Sequence, residues 1–172
     1  CDNPQGWNAF ANYGNAFYND HHFQYGYAVK SFAWALYLVN VKGFDLGFSH
    51  DQVQNITKMA TLFARDYANP SKEDTFFTTL RHKDMFDGHS WAEGYDYSGR
   101  ILTWVNQQSS GEALNSYQAV YLLGKATNNK AMSDWGRIHA ASELLAIQTY
   151  QQLSNDTAAD SNVPYSLMTK TT

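Results

Sequence analysis

From Ala28 to Val39 only Lys30 and Ser31 are clearly polar. A helix this apolar on every side is buried on every side. The chain must therefore build an assembly around it, because isolated soluble domains do not leave such a patch open. Gly26 precedes the run. It costs roughly 1 kcal/mol in a helix interior, so it marks either the first turns or a place where something approaches closely.

The rest of the chain supplies helical neighbours. Gly43 to Gly47 reads as a turn region. Ser49 with Gln52 forms a capping-box pattern that opens a second helix. Its apolar positions Val53, Ile56, Ala60, Phe63 and Tyr67 share one face, and it ends near Asn69-Pro70. Residues 70–108, with Gly88, Gly94 and Gly99, read as a long irregular connection, and connections of that length are usually functional or disordered. The aromatic residues within it argue against disorder. Ser109 or Ser110 caps a third helix with Ala113, Tyr117, Val120 and Tyr121 on one face and Gly124 at its close. A fourth runs from about 131 to 153, with Ile138, Ala141 and Leu145 on a face. No strand pattern competes. The expected fold is all-α: about four long helices, paired apolar-inner with amphipathic-outer, and functional loops at their ends. The polar tail 154–172 is expected to be loosely held, and 1–172 to act as one segment.

Composition narrows the ligand. Charged residues are 16% and aromatic residues 16% of the 172, with a net charge of −4. Rings and neutral amides suit a neutral, hydroxyl-rich ligand. No basic stripe is present to neutralise a phosphate backbone, so a nucleic-acid partner is not expected. No apolar run is long enough to span a membrane. The single cysteine, Cys1, can form no internal disulfide. Asn55-Ile56-Thr57 and Asn155-Asp156-Thr157 fit the N-glycosylation pattern, which also arises by chance. Adjacent His21 and His22 lack a second ligand pair, so no metal is expected, and no phosphate loop or dinucleotide fingerprint occurs.

The stretch Tyr18 to Tyr27 holds an acid, two imidazoles and four aromatic rings. A carboxyl beside rings fits a sugar site: the acid protonates and the rings stack on a pyranose. The plainer reading makes Asp20 a helix N-cap and the rings core. Two further clusters share this composition, Asp87 to Trp91 and Asn106 to Asn115. Were the first and third helices side by side, Asp20 and residues 108–112 would meet at one cleft. Two carboxyl groups flanking a ring-lined cleft are the layout of a glycoside hydrolase. For Glu112 the plainer reading is a favourable charge in a first helical turn. For His89 and Trp91 it is ordinary loop packing.

These clusters resemble those of glycoside hydrolase family 81, the endo-β-1,3-glucanases or laminarinases. The family's first pattern, Tyr-Asn-Asp-His-His-Phe-His-Tyr-Gly-Tyr, is matched at Tyr18 through Phe23 and at Tyr25 through Tyr27. Arg65 to Pro70 and Gly88 to Ala92 match the next two patterns in order, and Asn106 to Ala113 approximates Asn-Gln-Glu-Ser-Ser-Ser-Glu-Ala. The resemblance implies an (α/α)6 toroid that cleaves β-1,3-glucan with inversion and needs no cofactor. It implies Asp20 as general acid, with the base position at Gln108. Glu112 would be a binding or orienting residue. By the same carry-over His22, Tyr25, His89, Trp91 and Asn106 would bind substrate. An extracellular or cell-wall location is implied by the family.

Three substitutions depart from the pattern: Gln108 for the base Glu, Gln24 for a histidine and Gly111 for a serine. A carboxamide cannot take a proton from water at neutral pH, so activity is in doubt. Gln108 is either an engineered Glu→Gln change or natural divergence. Glu112 lies one helical turn away, about 6 Å along the axis, and is a conceivable substitute base. Four helices cannot close a toroid, so the rest of the barrel is expected from the same longer polypeptide or from another chain. The competing expectation is a non-catalytic β-1,3-glucan-binding or structural relative.

Overall fold

Four long helices form the body of the computed structural model, which describes residues 14–95 and 101–151. Cys1, Gly99, the Asn155 triplet and the polar tail lie outside the described residues. Helix α1 spans His21–Asn40, α2 His50–Tyr67, α3 Ser110–Ala126 and α4 Lys130–Tyr150. Each start except that of α1 has a side-chain cap. Ser49 and Gln52 complete the capping box of α2. The Ser109 hydroxyl accepts from Glu112 N–H, and the Asn129 side chain accepts from Met132 N–H. These bonds satisfy helix-end donors that would otherwise lack partners.

The helices make two antiparallel hairpins whose first members lie side by side. His21 meets Asp66 and Tyr25 stacks on Phe63, so α1 and α2 run in opposite directions. Along α1 and α3 the paired positions advance together: Tyr27 with Glu112, Lys30 with Asn115, and Asn40 with Ala126. These two helices are therefore parallel, and both N-termini open at the same end. Gly26 allows the contact, because a Cβ there would lie 2.6 Å from Ser116 Cβ. The α3–α4 hairpin is closer still. A Cβ on Gly124 would lie 2.2 Å from Ser133 N, and one on Gly136 2.2 Å from Tyr121 N. Gly124 thus marks close helix packing, and α3 continues past it to Ala126.

The core joins Val29, Ala33 and Leu36 of α1 to Ala60, Ala64 and Tyr67 of α2, and to Tyr117, Val120 and Leu123 of α3. The apolar face expected for α2 is the one it buries. Two expectations change. Helix α1 is not enclosed on all sides, and Trp34 is 51% exposed, because its neighbours here, α2 and α3, leave one flank open. The face of α4 marked by Ile138, Ala141 and Leu145 points to solvent. The buried face of α4 instead carries Met132, Ser133, Gly136, His139, Glu143, Ala146 and Ile147. Polarity at His139 and Glu143 hid this face from a reading based on hydrophobicity.

Residues 70–108 are not wholly irregular. Strands β1 (Glu93–Tyr95) and β2 (Ile101–Asn106) pair antiparallel, with Glu93 opposite Asn106. The ribbon is a local device in an all-α chain. Two parallel first helices, each with an antiparallel partner, are consistent with a segment of an (α/α)6 toroid.

Candidate active site

Asp20 stands at the shared N-terminal end of α1 and α3. It occupies the N-cap position of α1 but does not cap it: its backbone is left-handed, with φ 55°, and its side chain makes no cap hydrogen bond. Aspartate tolerates this conformation better than most residues. The turn aims the carboxyl away from the helix N–H groups. Its backbone N–H donates to Ala92 O at 3.0 Å. The residue is 4% exposed, and Oδ1 is buried without a hydrogen bond to any described residue. Burial, reinforced by the negative charges of Glu93 and Glu112 and opposed by His21, pushes the Asp20 carboxyl up to about 6. A carboxyl raised this far holds a proton to donate in mildly acidic solution, where an ordinary aspartate is already ionised.

A short ladder of hydrogen bonds leads from Asp20 to Gln108. Ala92 N–H donates to Asn106 O at 2.8 Å, and Gln108 N–H donates to Asn106 Oδ1 at 2.8 Å. Gln108 is exposed and left-handed, with φ 61°. One turn on, Glu112 is half-buried, and Oε1 accepts from the Tyr27 hydroxyl at 2.8 Å. Asp20, Asn106, Gln108 and Glu112 are therefore gathered at one end of the α1–α3 pair. Next to Asp20, whose neighbours Asn19, Ala92 and Glu93 form part of its wall, lies a cleft of about 580 Å³ that Tyr18, Arg81 and Trp91 also line; Asn106, Gln108 and Glu112 are not among its walls.

Of the five residues expected to bind substrate, Trp91 lines this cleft, and its indole N–H donates to Asp84 Oδ2 at 3.3 Å. Asn106 is exposed but not among the cleft walls, its side chain engaged with Gln108 N–H. The other three lie away from the cleft walls. His22 is fully buried and stacked on His82 at 4.3 Å, so it lies beneath the site. Tyr25 turns toward α2, with its ring stacked on Phe63 at 5.0 Å. His89 is buried behind Trp91, ring to ring at 4.6 Å. Consecutive residues on a helix face different ways, and a motif read as a string does not separate them.

Several site residues escaped the sequence reading. Glu93 follows the matched Gly88–Ala92 cluster directly and acts on Asp20 through its charge. Tyr27 closes the first motif and holds Glu112. Asp66, inside the matched Arg65–Pro70 cluster, binds His21 Nδ1 at 2.6 Å and the Arg81 guanidinium at 3.2 Å. Arg81 also covers the Tyr18 ring at 4.2 Å. Among the described residues no group of three or more His, Cys, Asp or Glu is arranged to hold a metal ion.

The raised carboxyl carries a stability signature. In the unfolded chain Asp20 titrates near 3.8 and in the folded chain at about 6. The folded state thus binds this proton more tightly, and its contribution is fully present below 3.8 and lost as pH rises through 6. The difference corresponds to roughly 3 kcal/mol at neutral pH. Asp20→Asn, which the left-handed turn accommodates, should therefore raise the urea midpoint at pH 7. Below about pH 3.8 it should leave the midpoint where it was. Urea titrations of both proteins at the two pH values check the sign.

Residues 3–168 match the family model described as the glycosyl hydrolase family 81 C-terminal domain. A glucan endo-1,3-beta-D-glucosidase of Acetivibrio thermocellus is 36% identical over 140 residues, which is 77% of this chain and 16% of the relative. Glucan endo-1,3-beta-D-glucosidase 2 of Saccharomyces cerevisiae is 31% identical over 80% of this chain and 17% of its own length. Among solved structures, a mutant of a glycoside hydrolase family 81 protein from Clostridium thermocellum superposes with a TM-score of 0.59 at 36% identity. It covers 77% of this chain and 17% of that chain. The chain spans about a sixth of the length of the curated relatives it matches.

Proposed function

The chain belongs to glycoside hydrolase family 81, and from that premise we propose that it acts on β-1,3-glucan by hydrolysis with inversion, with Asp20 as general acid. The observation that carries this reading is the buried Asp20 carboxyl, pushed up to about 6 beside an open cleft. In single displacement the acid protonates the leaving glycosidic oxygen while a base on the opposite face activates water. Gln108 occupies the base position and cannot take that proton, so turnover is slow. Glu112, held by Tyr27, orients substrate and is the nearest carboxylate able to substitute as base. Trp91 offers a stacking surface for a sugar ring, and Asn106 an amide. The further helices of the barrel come from the same longer polypeptide or another chain, and the working location is extracellular or at a cell wall.

The second reading is a β-1,3-glucan-binding relative that does not cut, favoured by the carboxamide at position 108. Calorimetry with laminarihexaose and reducing-end release from laminarin distinguish the two. The enzyme reading expects binding with slow release that Asp20→Asn removes while binding stays. Binding with no release at any pH supports the second reading. Absence of binding to every β-1,3-gluco-oligosaccharide sinks both.

A further inference from the structure

An ion pair with no exposed side-chain surface lies behind the cleft. Lys83 Nζ and Glu143 Oε2 are 2.7 Å apart. The same ammonium donates to Gly88 O at 2.6 Å and to His139 O at 3.3 Å, and lies 5.1 Å from the Tyr117 ring centroid. Glu143 accepts from Ser90 N–H at 3.1 Å and from the Ser90 hydroxyl at 3.0 Å. Ser90 Oγ also lies 2.9 Å from the Tyr117 hydroxyl.

Desolvating two charges is costly, and apolar residues of similar volume often serve stability equally well. What the pair adds is a fixed position for the main chain at Ser90, which Glu143 grips through both backbone and hydroxyl. Two residues on, the Ala92 carbonyl receives Asp20 N–H, and Ala92 N–H continues the ladder to Asn106. The intervening Trp91 is held by His82: Trp91 N–H donates to His82 O, and the His82 ring bonds Trp91 O at 3.0 Å. Hydrogen bonds thus run at every residue from Ser90 to Asp20.

We propose that Glu143, neutralised by Lys83, is a positioning residue for Asp20, clamping Ser90 so that the Ala92 carbonyl fixes the acid in its buried turn. The inference rests on the proposed function only for its catalytic meaning, since the positioning can be read without turnover.

The test pairs Lys83→Met with Glu143→Leu, which removes both charges together, keeps apolar volume and frees Ser90. Wild type and double variant are labelled with ¹³C at the aspartate carboxyls and titrated by NMR, with Asp20→Asn identifying the signal. Asp20 is expected to titrate near 6 in the wild type. In the double variant its proton affinity should fall by about tenfold, one pKa unit, as water reaches the carboxyl. The charges facing it, Glu93, Glu112 and His21, are the same in both proteins. An unchanged Asp20 titration in a folded double variant overturns the proposal. Should that variant not fold, Ser90→Ala retains the ion pair and removes only the hydroxyl. A shift in the same direction then supports the clamp, and none overturns it. Lack of laminarin hydrolysis in every protein would count against the proposed function and leave this readout intact.

Discussion

Gln108→Glu is expected to raise laminarin hydrolysis by about 10²–10⁴-fold, the usual contribution of a positioned general base. Asp20→Asn in that background should remove the gain. Glutamine and glutamate share a shape, and Gln108 is set by its main chain: N–H on Asn106 Oδ1 and a left-handed φ of 61°. Neither feature depends on the side-chain nitrogen. The side chain is exposed, so water reaches it. A carboxylate there would add a like charge to an acid already pushed up by burial, Glu93 and Glu112. Like charge favours the protonated form. The alkaline limb of the pH–rate profile, set by loss of the acid's proton, should consequently lie above about 6. Reducing-end assays give the rate, and NMR of the first-formed anomer tests inversion. A folded Gln108→Glu protein that binds laminarihexaose yet releases no product would sink the catalytic reading.

Much of the helical frame was legible in the sequence because its signals are local. The Ser49–Gln52 capping box, the spacing of Val53 to Tyr67 and the Ser109 cap each appear where expected. That Asp20, Gln108 and Glu112 would come to one helix end was legible as well, and they do because α1 and α3 run parallel. What the local pattern does not show is where long-range packing sends a side chain. His22 and Tyr25 sit two and five residues from Asp20, yet one is sealed in the interior and the other serves the α1–α2 seam. The inner face of α4 is partly polar, built around Glu143 and His139, so hydrophobic periodicity selected the solvent face. Strand β2 was missed because a six-residue ribbon gains its stability from β1 and the neighbouring Ala92, contacts that no local pattern announces.

Acid should unfold this protein at the upper edge of the ordinary carboxylate range. Burial holds the His82 and His139 imidazoles down at about 4, from 6.5 in the unfolded chain. Burial, with His82, His21 and Lys83 nearby, holds His22 well below 6.5 as well. Each is neutral in the folded state while the unfolded chain takes a proton. The stability they contribute is therefore present above 6.5 and lost as pH falls toward 4. Two such groups account for roughly 3 kcal/mol each over that range. Asp20 works in the opposite direction between 6 and 3.8 and offsets up to about one of them. The net loss of several kcal/mol is comparable to the whole stability of a typical domain. Circular dichroism and tryptophan fluorescence should therefore show cooperative unfolding between about pH 5 and 4. His139→Phe separates this cause from general charge repulsion. The ring lies among Trp135 and Tyr117, and both its nitrogens are buried without a hydrogen bond to any described residue. A phenyl ring fills the same space with nothing to protonate. The variant should match or exceed wild type at pH 7 and outlast it by about 1–3 kcal/mol at pH 5. Equal acid midpoints for the two proteins would locate the acid sensitivity away from this imidazole.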